Sequence, residues 1–280
     1  MAGFLTDLQQ HVFLQNALWT ALLASIACGS IGSFVVVRRI TYIAGGIAHC
    51  VLGGMGAALY LRSVHGYEWL DPLYGAIIAA VLAALVIGVV SLKASEREDT
   101  VISALWAIGV AAGILFISQT PGYGQDLMSY LFGNILFVTT RSLWLLLILD
   151  LVIITGGILF YKQLVAICFD EEFSRIRGVR VDVYYMILLL LTALTVVLLT
   201  TVVGIVMVIA LLTLPAATAG RFTRTLFQMI VLASVLSLVY TVAGLAVSYT
   251  PDLPSGATTI MIAGGVYLAV NLGSLLFKRA

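Results

Sequence analysis

The sequence predicts an all-α fold, a polytopic bundle of transmembrane helices, and three observations lead to this prediction. Hydrophobic residues make up 62% of the 280 residues, and the mean hydropathy is +1.13. Charged residues make up only 10% of the chain, against about 25% in an average soluble domain. Apolar runs long enough to cross a bilayer recur from one end to the other. We therefore expect residues 1–280 to form one multi-pass membrane domain.

Nine apolar runs are predicted to span the membrane as helices, each of roughly 16–25 residues. The first run has no Lys or Arg before it in residues 1–12, so we interpret it as a retained span and not as a cleavable signal peptide. The predicted spans are 13–37, 42–61, 72–92, 101–118, 142–161, 183–202, 204–219, 226–248 and 256–277.

The distribution of basic residues predicts the orientation. The apolar segment 127–138 is too short for an easy crossing, and we interpret it as re-entrant. With the N-terminus outside and the C-terminus cytoplasmic, every Lys and Arg except Arg62 and Arg141 then lies on the cytoplasmic side. A re-entrant segment is tolerated only where protein or a water-filled cavity covers its backbone.

The second predicted span carries a histidine, His49, near its middle. An ionisable residue at membrane depth is costly, so it is a functional candidate by default. Gly45, Gly53 and Gly56 share its helical face. A glycine face allows close approach of another helix or leaves a cavity. His49 therefore either lines a pathway or holds the bundle together through a hydrogen bond to a neighbouring helix.

Asp150 is the only acid inside a predicted span, and facing lipid would be costly for it. We expect it to face the bundle interior, where it could pair with His49 or help to hold a cation. The three cysteines follow no paired-spacing motif, which argues against a disulfide framework.

The loop 169–185 is predicted to form a short amphipathic helix. Acidic residues precede basic ones, apolar residues lie between them, and a glycine is placed to end the helix. From the pattern alone, the helix either docks into a partner's groove or rests on lipid headgroups. Its candidate residues are Asp170, Glu171, Glu172, Phe173, Arg175, Ile176 and Gly178.

Glycine and proline predict three further breaks. The chain should turn tightly at Gly204, and Pro215 should kink or end its span. The outer loop 249–256 contains Asp252 and Pro254 and should form a rigid turn.

No nucleotide-binding G-x-x-x-x-G-K-[S/T] loop is present, so the chain is not expected to hydrolyse ATP itself. H-E-x-x-H and G-x-S-x-G motifs are also missing from the sequence. These observations favour a permease or channel over an enzyme, and no nucleic-acid partner is expected.

The chain resembles the membrane permease subunits of zinc-, manganese- and iron-type ABC importers nearly end to end. The resemblance lies in six segments that follow one another in the family's order. They are GSFVVVRR at 32–39, REDTVISALWAIGVAAGILFIS at 97–118, YLFGNIL at 130–136, the FDEEFSRIRGV loop at 169–179, VVGIVMVIALLTLPAATAGR at 202–221 and SYTPDLPSGATTIMIAGG at 248–265.

The resemblance implies a homodimer in the bacterial cytoplasmic membrane, with a pathway for a divalent metal along the two-fold axis. Zinc and manganese are the favoured cargoes, and iron is a third. It implies a separate ABC ATPase subunit, which binds ATP and docks on segment 170–179, and an extracytoplasmic metal-binding protein that delivers the ion.

His49 matches the family's pathway histidine. One helical turn earlier, where such permeases usually carry an aspartate, this sequence has Gly45. Asp150 or Cys50 could supply the missing ligand, since carboxylate or thiolate groups normally complete a metal's shell. Two alternatives stay open: a permease for a metal chelate or another small solute, and a secondary transporter or channel that needs no ATPase.

Overall fold

The computed structural model describes residues 11–93, 98–121, 138, 140–249 and 253–277. Within these ranges the chain forms eleven α-helices and no β-strand. They are α1 (Val12–Val37), α2 (Thr41–His65), α3 (Pro72–Lys93), α4 (Glu98–Ser118), α5 (Thr140–Leu159), α6 (Tyr161–Phe169), α7 (Glu171–Ile176), α8 (Val181–Val203), α9 (Ile205–Ala219), α10 (Leu226–Tyr249) and α11 (Ser255–Phe277).

The predicted all-α transmembrane fold is confirmed. Each of the nine predicted spans corresponds to one helix, and eight of these helices are long and apolar enough to cross a membrane. The ninth, α9, has 15 residues. The predicted re-entrant segment 127–138 lies outside the described residues except for Val138. Its path and the orientation of the bundle stay predictions.

Two groups of helices make up the bundle. The buried helix α1 packs against α5, α8, α9 and α10, while α2 lies between α3 and α4. Helix α8 contacts both groups, and so does α9, which joins α10 and α11. The most exposed of the long helices are α4, α5 and α11, so they lie at the outside of this single copy. The arrangement therefore places α2 and its histidine one layer beneath α4.

The predicted turn at Gly204 is observed between α8 and α9. Gly204 has φ +80° and ψ 161°, and its N–H donates to the carbonyl of Thr200 at 3.2 Å. A residue with a side chain rarely adopts this conformation, so glycine is what allows two apolar helices to follow each other directly. Pro215 is buried inside α9, which continues to Ala219, so this proline does not end the helix.

The chain turns from α1 into α2 within three residues. The N–H of Ile40 donates to the carbonyl of Val35 at 3.0 Å, and the N–H of Arg39 donates to that of Val36 at 3.1 Å. Arg39 has φ +63°. These two hydrogen bonds, together with the left-handed conformation of Arg39, make up the Schellman motif that ends a helix. The corner between α1 and α2 is therefore held by the backbone itself.

Candidate functional site

His49 lies half-buried on α2 against the side of α4. Its imidazole stacks on the indole ring of Trp106, with ring centroids 4.2 Å apart and planes 20° from parallel. Nδ1 is buried, and neither ring nitrogen has a hydrogen bond to a described residue. The interpretation of His49 as a purely structural hydrogen-bonding residue therefore finds no partner in the part of the chain that the structure describes.

Gly45 leaves the room into which Trp106 fits. A Cβ atom at Gly45 would lie 3.2 Å from the six-membered ring of Trp106 and 3.8 Å from the side chain of Ile209. An aspartate at this position would force the indole to shift. Glycine at position 45 therefore has two consequences: the expected carboxylate is missing, and Trp106 has the room to stack on His49. Trp106 is 40% exposed in the single copy, so the stacked pair lies near the molecular surface.

The other two glycines of this face pack closely and leave no cavity. A Cβ atom at Gly53 would lie 2.9 Å from the carbonyl oxygen of Gly109, and one at Gly56 would lie 2.9 Å from that of Gly113. The backbones of α2 and α4 touch there because neither helix has a side chain in the way. Beside them the Cys50 thiol donates to the carbonyl oxygen of Leu105, with 3.4 Å between sulfur and oxygen. The thiol is thereby directed at the α4 backbone.

Asp150 lies elsewhere in the bundle. It is 2% exposed, and its Oδ1 has no hydrogen-bond partner among the described residues. Its helix, α5, packs on α1 and α8, and its carboxyl group lies within electrostatic range of Cys28 on α1. Ser237 on α10 lies beside the same thiol. Asp150 therefore faces the bundle interior, as predicted for a membrane-embedded acid, but beside α1 and not beside α2.

Within residues 11–93, 98–121, 138, 140–249 and 253–277, no three His, Cys, Asp or Glu side chains are close enough to hold a metal ion. One copy of the described chain thus offers His49 as an isolated imidazole. A complete coordination shell for a metal would need ligands from the ion's own water, from a second copy or from another molecule.

The predicted amphipathic helix is α7, and its ends are defined by the residues that the sequence indicated. The side chain of Asp170 accepts a hydrogen bond from the N–H of Phe173 at 2.9 Å and so caps the first turn. Gly178, with φ +80°, follows the last turn. The N–H of Val179 donates to the carbonyl of Ser174 at 3.0 Å, which completes the helix stop.

The surface of α7 combines apolar and ionic groups. Ile176 is 84% exposed and Phe173 is 52% exposed, with the guanidinium of Arg177 4.9 Å from the centre of the Phe173 ring. Arg175 forms ion pairs with Glu171 at 3.5 Å and with Asp182 at 3.0 Å. Glu172 is exposed, and no described residue binds its side chain. Exposed apolar side chains beside charges are typical of a surface that binds another protein.

Of the predicted outer loop, the structure describes Pro254 but not Asp252. Pro254 is exposed, and its carbonyl accepts hydrogen bonds from the N–H and the hydroxyl of Thr258, at 3.2 Å and 2.8 Å. Pro254 therefore leads directly into the first turn of α11.

Sequence reasoning missed two residues of these sites. Trp106 is the stacking partner of His49, and the signal for it was a missing side chain at Gly45, one turn before the histidine. Arg38 is the second, since it pairs with Glu171 of α7. The sequence feature that could have indicated Arg38 is the pair of arginines directly after the first apolar helix, which we used only to predict the orientation.

The fold is that of a multi-span membrane protein, with a half-buried histidine on a closely packed central helix and a short charged helix at its surface. The chain belongs to the ABC 3 transport family, whose model matches residues 10–274. It is a multi-span permease of the bacterial inner membrane and a transport component, not an enzyme, as predicted.

Named relatives cover almost the whole chain. A probable metal transport system membrane protein of Chlamydia trachomatis is 42% identical over 94% of this chain and 88% of its own length. The manganese transport system membrane protein MntC of Listeria monocytogenes is 38% identical over 99% of this chain and 97% of its own length. The solved structure of PsaBC from Streptococcus pneumoniae in complex with Fab matches with a TM-score of 0.84 and 32% identity, over 96% of this chain and 94% of that one.

Proposed function

We propose that this chain is the permease subunit of an ATP-driven importer for a divalent transition metal, and that His49 lines the route of the ion. The single observation that carries the proposal is the His49 imidazole: it lies on a helix long and apolar enough to cross a membrane, and it has no hydrogen bond to any described residue. A neutral imidazole with a free lone pair is a ligand for zinc, manganese and iron. Relatives named for metal and manganese transport support the same cargo class.

The conduit is proposed to form between two copies of the chain. Helix α4 covers α2 and presents an apolar outer face, on which Ile108 and Leu115 are exposed. One copy offers a single imidazole, and a two-fold axis beside α2 and α4 would bring a second one to the same route. Two imidazoles and water molecules would coordinate the passing ion weakly enough for it to be released again.

The motor is proposed to be a separate ABC ATPase that docks on α7. Phe173 and Ile176 are exposed large apolar groups on a helix too short to fold alone, and their positions are fixed by the Asp170 cap and the Gly178 stop. A helix with exposed apolar side chains in fixed positions suits a hydrophobic groove in a partner protein. An extracytoplasmic binding protein is the proposed source of the metal on the opposite face.

Manganese is the favoured cargo and zinc the next. The relative from Listeria monocytogenes is named for manganese, and several further relatives are named for metal or manganese transport. A metal chelate is the second candidate, because no carboxylate lies beside His49 among the described residues. A chelate brings its own ligands and would need only a passage of suitable shape.

The test is uptake of radiolabelled manganese or zinc by vesicles that contain this chain and the ATPase that co-purifies with it. We expect ATP-dependent uptake, and we expect His49→Ala to lower its rate at least about tenfold, since one lost ligand contact of about 1.4 kcal/mol corresponds to that factor. His65→Ala is the matched control, because His65 lies exposed at the end of the same helix. Its uptake should equal that of the unmodified chain.

Each alternative has its own outcome. Uptake that persists without an ATPase would indicate a secondary transporter or channel. Uptake only when the metal is supplied as a complex would indicate a chelate permease. Equal uptake by His49→Ala and His65→Ala would remove His49 from the route.

A further inference from the structure

Arg38 connects α1 to α7 through its guanidinium group. Nη1 donates to the carbonyl oxygen of Ile167 on α6 at 3.0 Å, and Nη2 forms an ion pair with Glu171 on α7. The side chain is 23% exposed, so both interactions are shielded from water on most sides. A planar guanidinium can make two such bonds in fixed directions at once, whereas a lysine ammonium cannot fix directions in this way.

The same guanidinium lies 5.5 Å from the centre of the Tyr185 ring on α8. The Tyr185 hydroxyl in turn hydrogen-bonds the hydroxyl of Ser91 on α3, at 3.0 Å. The Cys168 thiol next to this group is buried, and burial raises its pKa to about 12 although Arg38 nearby acts in the opposite direction. Arg38 is thus the centre of a packed group that joins α1, α3, α6, α7 and α8.

The position of Arg38 in the chain gives this group a mechanical role. Arg38 is the first of the three residues of the backbone-closed corner that leads into α2, and α2 begins at Thr41. His49 follows eight residues later on the same helix, a little over two helical turns along. The ion pair between Glu171 and Arg38 therefore connects α7 to the turn that leads into α2.

Glu171 is shared between two arginines. Its Oε2 pairs with Arg38 and its Oε1 lies 3.5 Å from Arg175, which also pairs with Asp182 at 3.0 Å. Arg175 is the more exposed of the two, and exposed pairs bind weakly. The contact of Glu171 with Arg38 is therefore the stronger link between α7 and the bundle.

We propose that Arg38 is a positioning residue that transmits the movement of α7 to α2, and so couples ATP hydrolysis to the opening of the route beside His49. This inference rests on the proposed function. It goes further by naming the residue through which the motor acts on the passage. Ion pairs and packed side chains that join two elements are one physical means by which coupling between distant sites is carried.

The test compares metal ions transported per ATP hydrolysed, in vesicles that contain the chain and its ATPase. In Arg38→Gln we expect ATP hydrolysis to continue while this ratio falls at least about fivefold, the lower end of typical coupling factors. Glu171→Gln removes the same ion pair, together with the weaker pair to Arg175, and leaves α1 intact, so it should lower the ratio as well. The double variant should lower the ratio no further than Arg38→Gln alone, because the ion pair that links the two residues is already lost in the single variant.

Arg39→Gln is the matched control. Arg39 carries the same charge one position later, its side chain is exposed, and no described residue binds it. Its transport ratio should equal that of the unmodified chain. This control separates loss of the link from loss of a positive charge at this end of the bundle.

Two results would overturn the inference. An unchanged ratio in Arg38→Gln and Glu171→Gln, with the unmodified complex active, would show that α7 acts on the passage by another path. A parallel fall of hydrolysis and uptake, together with a lower melting temperature, would show that Arg38 serves only the fold. Failure of the proposed function is distinguishable, because the unmodified complex itself would then neither bind an ATPase nor transport metal.

Discussion

The surroundings of His49 and the surroundings of α7 are held together by different interactions. Around His49, glycines let α2 touch α4 and α3 through backbone contacts, and a single aromatic ring covers the imidazole. Around α7, ion pairs, a side-chain cap and a cation over an aromatic ring hold a six-residue helix in place. The first region is fixed by shape and the second by charge.

This difference follows from the solvent of each region. In a bilayer there is no hydrophobic driving force for helices to associate, because lipid tails are as apolar as the side chains. Van der Waals contact between closely approaching backbones holds the helices together instead. At a water-exposed surface, a short helix cannot persist by itself and needs caps and ion pairs. Substitutions should therefore disturb the two regions in different ways, and three predictions test this.

The largest effect is expected at Gly54, next to the histidine face. A Cβ atom there would lie 2.2 Å from the carbonyl oxygen of Gly75 on α3 and 2.5 Å from the Cβ of Ala79. Because a backbone group cannot rotate away, Gly54→Ala should separate α2 from α3 and destabilise the protein by about 1–3 kcal/mol or more. A thermal melt of the purified protein in detergent measures this.

Gly157→Ala is the control for that prediction. It also adds one methyl group to a helix of membrane-spanning length, but among the described residues no atom outside the helix's own backbone lies within 4 Å of the added Cβ. It should melt at or slightly above the temperature of the unmodified protein, since alanine favours helix by up to about 1 kcal/mol over glycine. Equal melting of both variants would contradict the backbone-contact account of α2.

A smaller, local effect is expected at Gly178. A Cβ atom there meets nothing within 4 Å, but the residue has φ +80°. Gly178→Ala should therefore cost about 1–2 kcal/mol through backbone strain alone. The loss should be confined to α7, where amide hydrogen exchange at 171–176 should speed up while exchange in α2 stays the same. Faster exchange in both helices would show that α7 and the core unfold together.

The smallest effect is expected at Trp106. Trp106→Ala removes the ring that stacks on His49, and such aromatic pairs contribute about 0.5–1.5 kcal/mol beyond their buried area. The fold should remain intact while the imidazole becomes accessible. Modification of His49 by diethyl pyrocarbonate, followed by mass spectrometry, should therefore become faster, with exposed His65 as the internal standard. An unchanged rate at His49 would show that Trp106 does not shield it.

The features that the sequence predicted correctly depend on residues close together in the chain. The apolar runs predicted nine helices at nearly their observed positions, Gly204 predicted the junction of α8 and α9, and Gly178 predicted the stop after α7. Each of these depends on hydropathy over one helix length or on the conformational freedom of one residue. Such local signals can be read without knowing the fold.

The sequence left open whether the glycine face of α2 makes a cavity or a close contact, and whether Asp150 meets His49. The structure shows close contacts at Gly53 and Gly56, and it places Asp150 on a helix that packs on α1, within electrostatic range of Cys28. Periodicity shows which face of a helix a residue occupies, but it does not show which neighbouring helix that face contacts.

The sequence by itself determined that this chain is a helical membrane protein, roughly where its nine long apolar helices lie, and that His49 and a short charged helix are its unusual features. Only the tertiary structure decided that Trp106 covers His49 and that Arg38 holds Glu171, 133 residues further along the chain. The physical reason is the range of the forces. Helix formation is governed by neighbours within a few turns, whereas contacts between distant residues depend on how whole helices pack.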